Sequence, residues 1–118
     1  MKKLSEADCK TAMETGDFDP AIVSGPAVAI ILTQSWCPQW AAMKAYLPKV
    51  EAELDVKIFY VEYDLEKWEK LENEAFMAFK ENVFKNREIP YVRYYINGKF
   101  SRDSNFISPE GFKSRLGA

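Results

Sequence analysis

The sequence has 118 residues, of which 47% are hydrophobic and 29% charged, and its 16 basic and 18 acidic residues give a formal net charge of −2. This length is typical of one domain that buries its own core without disulfides or metals. The nearly balanced charge excludes an electrostatic footprint for nucleic acid, and no apolar run approaches the roughly 18 residues that a membrane-spanning helix needs. We therefore expect a single domain over 1–118, with neither nucleic acid nor membrane as a partner.

The chain contains two cysteines, Cys9 and Cys37, and no histidine. The lack of histidine excludes Cys–His nucleophilic catalysis and His-ligated zinc, and two thiols alone make a poor metal site, so we expect no metal and no cofactor. Small secreted scaffolds normally carry more cysteines, and the first ten residues, MKKLSEADCK, contain no apolar stretch typical of a signal peptide. These features favour a reducing, cytoplasmic location.

The N-terminal region predicts a short helix followed by a loop. Ser5 and Asp8 have the spacing of a capping box, which predicts a helix over about 6–14 that ends at Gly16. Cys9 would lie on the apolar face of this helix, where a free cysteine behaves as a small buried hydrophobic residue. The turn-rich stretch DFDPAIVSGP, residues 17–26, predicts a loop.

The middle of the chain predicts two strands and two helices in alternation. AVAIILT (27–33) is a short continuous apolar run, typical of a strand covered on both faces, and VKIFYVEY (56–63) predicts a second strand. The helix between them contains Pro48 and has an apolar face formed by Trp40, Met43, Leu47, Val50 and Leu54. A long helix over 65–84 would bury the stripe Leu65, Trp68, Leu71, Ala75, Phe79 and Val83. We expect the charges from Glu62 to Glu74 to form a solvated helix face.

The C-terminal third predicts a hairpin and a final helix. YVRYYI (91–96), the turn dipeptide Asn97-Gly98 and KFSR together indicate two antiparallel strands. Ser108 and Pro109 have the cap and first-turn positions of a helix. The tyrosines of the first hairpin strand are interpreted as sheet packing. The predicted order α-β-α-β-α-β-β-α is typical of a three-layer α/β domain.

Three of these features together resemble the thioredoxin-fold proteins. QSWCPQW (34–40) lies between a buried strand and a helix, where that family places Trp-Cys-x-x-Cys; the following helix has an internal proline; and EIPYVRYYINGKF (88–100) resembles the family's Ile/Val-Pro signature leading into a hairpin. The resemblance implies a thioredoxin-like three-layer α/β/α sandwich with a central mixed sheet of about four strands. It covers the chain from about residue 26 onward.

The resemblance also implies the site. Cys37 is the expected nucleophile, because a helix N-terminus stabilises the thiolate, and the Ile89–Pro90 peptide bond is expected to be cis and to lie against Cys37. The expected substrate contacts are Trp36, Pro38, Trp40, Ile89 and Pro90. For Trp40 the alternative is burial, because this residue also belongs to the apolar spacing of its own helix.

The sequence departs from the family at three positions that serve the second cysteine. Trp40 stands where the family has its resolving cysteine, Ile31 where it often has a buried aspartate, and Tyr60 where it commonly has a lysine. Cys9 is the remaining candidate for a resolving thiol, but bridging Cys37 would require Cα atoms within about 7 Å of each other. We expect packing rather than redox chemistry for Cys9.

Two functions remain open from the sequence. The first is a single-cysteine thioredoxin-like thiol-disulfide oxidoreductase, in which Cys37 forms a mixed disulfide with a protein or low-molecular-weight disulfide substrate and an external thiol resolves it. The second is a redox-inactive protein-binding module that uses the groove between Cys37 and Pro90.

Overall fold

A five-stranded mixed sheet lies at the centre of the computed structural model, which describes residues 1–63 and 73–117. The strands are β1 (Lys2–Lys3), β2 (Ala27–Thr33), β3 (Lys57–Glu62), β4 (Tyr91–Ile96) and β5 (Lys99–Ser104). The helices in the described ranges are α1 (Glu6–Thr15), α2 (Pro20–Val23), α3 (Pro38–Leu54), α4 (Asn73–Asn82) and α5 (Pro109–Arg115). None of these helices is long and apolar enough to cross a membrane.

The strand order in the sheet is β1-β3-β2-β4-β5. β3 runs parallel to both β1 and β2, whereas β4 is antiparallel to β2 and to β5. The sheet has one strand more than the expected four or so, because Lys2–Lys3 pairs with Phe59 and Tyr60 at the edge. Two consecutive lysines carry no apolar pattern that would have predicted this strand.

The helix caps follow from local sequence. Ser5 accepts a hydrogen bond from the Asp8 amide, and the Asp8 carboxylate accepts one from the Ser5 amide, so the predicted capping box of α1 is confirmed. The expectation of a continuous loop over 17–26 was wrong, because this stretch contains α2. The Asp19 carboxylate caps α2 by accepting from the Ala21 amide, and Pro20 is its first residue.

Two apolar clusters pack on opposite faces of the sheet, as the alternation along β2 shows. Val28, Ile30 and Leu32 belong to the cluster that contains Cys9 of α1 and residues of α4. Ala29 and Ile31 belong to the cluster on the other face, which contains residues of α3 and α5. Because successive strand residues point to opposite faces, the clusters lie on the two sides of the sheet, and the predicted three-layer arrangement is confirmed.

The buried face of α4 differs from the predicted stripe. Ala75 is exposed and Val83 is 50% exposed, whereas Phe76, Phe79 and Lys80 are buried. The spacing of the apolar residues had predicted that Val83 would lie on the buried face of the helix. Lys80 lies on that face, and Val83 does not. The predicted stripe members Leu65, Trp68 and Leu71 lie outside the described residues.

Glu62 corrects a second expectation about this region. It is the last residue of β3 and only 8% exposed, so it is not part of a solvated helix face. Glu74, in the first turn of α4, is exposed as expected. The charges at 64–72 lie outside the described residues.

Candidate functional site

The pairing of β2 with β4 brings two predicted motifs together. Leu32, near the end of β2, pairs with Tyr91, the first residue of β4. Since the strands are antiparallel, the segment after β2 and the segment before β4 lie at the same end of the two strands. As a result, the Cys37 Sγ lies 4.0 Å from the carbonyl oxygen of Ile89.

Cys37 is the N-cap residue of α3. Its backbone is extended, Pro38 is the first helical residue, and the thiol makes no capping hydrogen bond to the helix. The first amides of any helix have no acceptor within the helix, so Gln39 and Trp40 direct theirs toward the start of α3. These N–H groups and the positive end of the helix dipole therefore lie at the same end of α3 as the thiol.

The two tryptophans that flank the motif have opposite environments. Trp36 is 66% exposed, and its indole donates to the Gln34 side chain at 2.9 Å. Trp40 is 1% exposed and belongs to the apolar cluster that contains Cys37. The alternative of burial therefore holds for Trp40, and Trp36 is the tryptophan whose ring is exposed beside the thiol.

A buried carboxylate lies against Trp40. The Trp40 indole Nε1 donates to the Glu62 carboxylate at 2.7 Å, and the Lys44 ammonium lies 3.4 Å from the same oxygen. The Lys44 Nζ also lies 5.8 Å from the Trp40 ring centroid and 5.2 Å from that of Tyr60. Glu62 was not predicted from the sequence to be part of this site. The signal that could have found it is strand alternation, since Ile58, Tyr60 and Glu62 share one face of β3.

The Ile89–Pro90 peptide bond is cis, and Pro90 is buried while Ile89 is partly buried. The Ile89 carbonyl faces the Cys37 sulfur. Within residues 1–63 and 73–117, the Ile89 amide has no hydrogen-bond acceptor. In the described residues the Ile89 amide is thus unpaired, and the Ile89 carbonyl contacts only the thiol.

Apolar and aromatic groups occupy the positions at which the resemblance implied proton-transfer side chains. Ile31 is fully buried on β2 and pairs with Tyr60 on β3. The Tyr60 ring lies 5.5 Å from the Trp40 ring. The neighbourhood of Trp40 is therefore packed rather than open to solvent.

Cys9 lies on the other side of the sheet from Cys37, in the cluster covered by α1 and α4, and both thiols are free. It is fully buried, and burial, followed by the charges of Asp8 and Glu6, raises the pKa of its thiol to about 12. Cys9 therefore acts as a packing residue. In the described part of the chain, no three His, Cys, Asp or Glu side chains come together as metal ligands.

We expect iodoacetamide to label Cys37 faster than Cys9 in the native protein at pH 8, because Cys9 is fully buried and its pKa is raised. Mass spectrometry of tryptic peptides over time measures both rates in one sample. Cys9→Ala and Cys37→Ser variants assign each rate to one thiol. Equal labelling of Cys9 in the folded protein would contradict its assignment as a shielded residue.

We expect Trp40→Phe to lower the free energy of unfolding by about 1–3 kcal/mol, because it keeps a ring but removes the indole donor from a buried carboxylate. Urea denaturation measures the change. Trp36→Phe is the matched control and should change the free energy of unfolding by less than about 0.5 kcal/mol, as is usual for an exposed side chain. Equal effects of the two substitutions would show that the Trp40–Glu62 bond contributes nothing to stability.

Known proteins resemble this chain in structure rather than in sequence. No protein-family model matches it, and no curated protein sequence matches it. Thioredoxin f2 of Chlamydomonas reinhardtii superposes with a TM-score of 0.68 at 15% identity, covering 99% of this chain and 94% of that one. Fasciola hepatica thioredoxin gives 0.65 at 16% identity over 99% and 97% of the two chains. Thioredoxin O2 of Arabidopsis thaliana, in its oxidized state, gives 0.62 at 15% identity over 98% and 90%. The chain therefore has the thioredoxin fold.

Proposed function

We propose that this protein is a single-cysteine thiol-disulfide oxidoreductase whose nucleophile is Cys37. The observation that carries the proposal is the position of this thiol: it caps α3 without bonding to it, and its sulfur lies 4.0 Å from the Ile89 carbonyl. A free thiol of this kind operates in a reducing compartment, which is consistent with a cytoplasmic location.

The reaction consists of two thiol-disulfide exchanges. The Cys37 thiolate attacks one sulfur of a substrate disulfide, forms a mixed disulfide with it, and expels the other sulfur as a thiolate. An external thiolate then attacks this mixed disulfide, regenerates Cys37 as a thiolate and carries away the substrate sulfur in a new disulfide. The external thiol is the reductant, and no residue of the chain changes oxidation state over the full cycle.

The external thiol is required because the described chain offers Cys37 no internal partner. Trp40, three residues after Cys37, is buried and bonded to Glu62. Cys9 lies on the opposite face of the sheet and is held in the thiol form by burial. An intramolecular disulfide would have to join Cys37 to Cys9 and would require the packing on both faces of the sheet to rearrange.

The proposed substrates are protein or low-molecular-weight disulfides. Exposed Trp36 and the main chain of Ile89 flank the thiol and provide an apolar and a hydrogen-bonding contact, respectively. Pro38, which is exposed, completes the proposed contact surface, whereas Pro90 is buried and contributes through its neighbour Ile89. The residues directly before the cysteine, Gln34-Ser35-Trp36, include no cation that would select glutathione by charge.

A redox-inactive binding module is the second candidate function. It is favoured by the low exposure of Cys37, 5%, beside a tryptophan that is 66% exposed. In this function the surface around Trp36 and Pro90 would hold a protein partner, and Cys37 would contribute packing only.

We expect the protein with excess 2-mercaptoethanol to reduce a mixed disulfide, and Cys37→Ser to abolish this activity. We expect little turnover when a dithiol-specific reductase is the only electron source, because Trp40 leaves no route to an internal disulfide. Chromatography of acid-quenched samples, which separates the remaining disulfide from the released substrate thiol, measures both reactions once the uncatalysed rate is subtracted.

Cys9→Ala is the matched control, since it removes the other thiol and should retain the activity. If the wild-type rate does not exceed the Cys37→Ser background, the oxidoreductase proposal fails. If such a protein still retains a partner that Trp36→Ala loses, the binding module becomes the function that the results support.

A further inference from the structure

A buried lysine holds the segment that leads into Pro90. Lys80 of α4 is 1% exposed, and its Nζ lies 2.7 Å from the Glu88 carbonyl, 3.0 Å from the Asn86 carbonyl and 3.4 Å from the Asn86 side-chain oxygen. An ammonium has three N–H donors, so these three oxygens match its capacity. Burial lowers the pKa of Lys80 to about 8, against opposing effects of Glu81 and Glu88, and the ammonium form therefore predominates at pH 7.

Asn105 also binds this segment through hydrogen bonds. The Asn105 Nδ2, in the connection between β5 and α5, donates to the Pro90 carbonyl at 3.0 Å and to the Asn86 side-chain oxygen at 3.0 Å. That Asn86 oxygen also accepts from the Glu88 amide at 3.0 Å. Lys80, Asn86 and Asn105 thus form one network around residues 86–90.

This network binds the carbonyls of the two residues that flank Ile89. It binds neither the amide nor the carbonyl of Ile89 itself. The Glu88 carbonyl accepts from Lys80 and the Pro90 carbonyl accepts from Asn105. The Ile89 carbonyl instead faces the Cys37 sulfur, and the Ile89 amide has no acceptor in the described residues. At a hydrogen-bonded position of an antiparallel pair, a residue donates its N–H to the residue opposite and accepts a hydrogen bond from that residue through its C=O. Ile89 therefore offers one complete pairing position beside the thiol.

We propose that Lys80 and Asn105 are positioning residues: by binding the Glu88 and Pro90 carbonyls, they orient the Ile89 main chain toward Cys37 and make an extended polypeptide the preferred carrier of the disulfide. This inference rests on the proposed function. The physical basis is preorganisation, because a segment already held in its binding conformation loses less freedom when a partner pairs with it. A small disulfide without a peptide backbone gains nothing from this orientation.

The test compares two substrates at pH 7 with excess 2-mercaptoethanol. One is the mixed disulfide of 2-mercaptoethanol with the peptide Gly-Val-Ala-Cys-Ala-Val-Gly; the other is the mixed disulfide of 2-mercaptoethanol with cysteamine, which has no backbone. Chromatography of acid-quenched samples measures the thiol released from each. We expect Lys80→Met and Asn105→Ala each to raise KM for the peptide by about tenfold, because a displaced binding group loses its alignment. Their kcat/KM for the cysteamine disulfide should stay within about twofold of wild type, since uniform damage to the site would lower kcat/KM for both substrates.

Exposed residues provide matched controls. Lys99→Met on β5 and Asn82→Ala at the end of α4 make the same chemical changes at exposed positions, and neither should alter the KM ratio of the two substrates. Equal losses on both substrates in Lys80→Met and Asn105→Ala would assign the network to stability alone and overturn the inference. Unchanged kinetics on both substrates would overturn it as well.

Two further measurements test the network without turnover, so that its failure is distinguishable from failure of the proposed function. Hydrogen–deuterium exchange of the Glu88 amide should accelerate by about tenfold in Lys80→Met relative to Lys99→Met, because that amide is protected by the network. The same peptide with serine in place of cysteine should bind Cys37→Ser and bind more weakly when Lys80→Met is added. Unchanged exchange at Glu88, or no peptide binding to Cys37→Ser, would overturn the inference whether or not the wild-type protein turns over.

Discussion

The register between β2 and β4 is the constraint on which the site depends. β2 is buried on both faces, so a slip by one residue would exchange the residues of its two apolar clusters and turn each side chain to the wrong side of the sheet. That register pairs Leu32 with Tyr91. Cys37 and Ile89 then come together because each is only a few residues from its strand, Cys37 after the end of β2 and Ile89 before the start of β4. The thiol also lies at the N-terminus of α3, which sets its electrostatic environment.

The position three residues after Cys37 has become part of the core. Trp40 packs with Tyr60, donates to Glu62 and lies beneath the Lys44 ammonium. This group of side chains joins the first turn of α3 to the end of β3. An aromatic donor and a buried carboxylate thus lie where the family resemblance implied a second thiol, and in the proposed function the exchange chemistry falls to a single sulfur and an external thiol.

The sequence predicted those parts of the fold and site that have local signals. β2 and β4 match the predicted ranges because their apolar runs are bounded by turn residues, and Cys37, Pro38, Ile89 and Pro90 belong to short motifs whose order along the chain is informative. Glu62 and Lys80 were missed because each is a charged residue on an inward face, where an apolar pattern assigns charges to solvent. Their burial depends on partners distant in sequence, Trp40 and the segment 86–90, which periodicity does not reveal.

The same reasoning explains why a cysteine at position 40 would not by itself recreate a dithiol enzyme. The smaller side chain would leave a cavity where the indole packs and would remove the donor that Glu62 requires, and both effects destabilise a protein by amounts on the order of a few kcal/mol. Ile31 and Tyr60 would still supply no proton acceptor beside the new thiol. A dithiol variant would therefore also have to fill the cavity, replace the hydrogen bond that Glu62 loses and supply a proton acceptor beside position 40, because the packing and the bonding of the carboxylate both depend on the single side chain of Trp40.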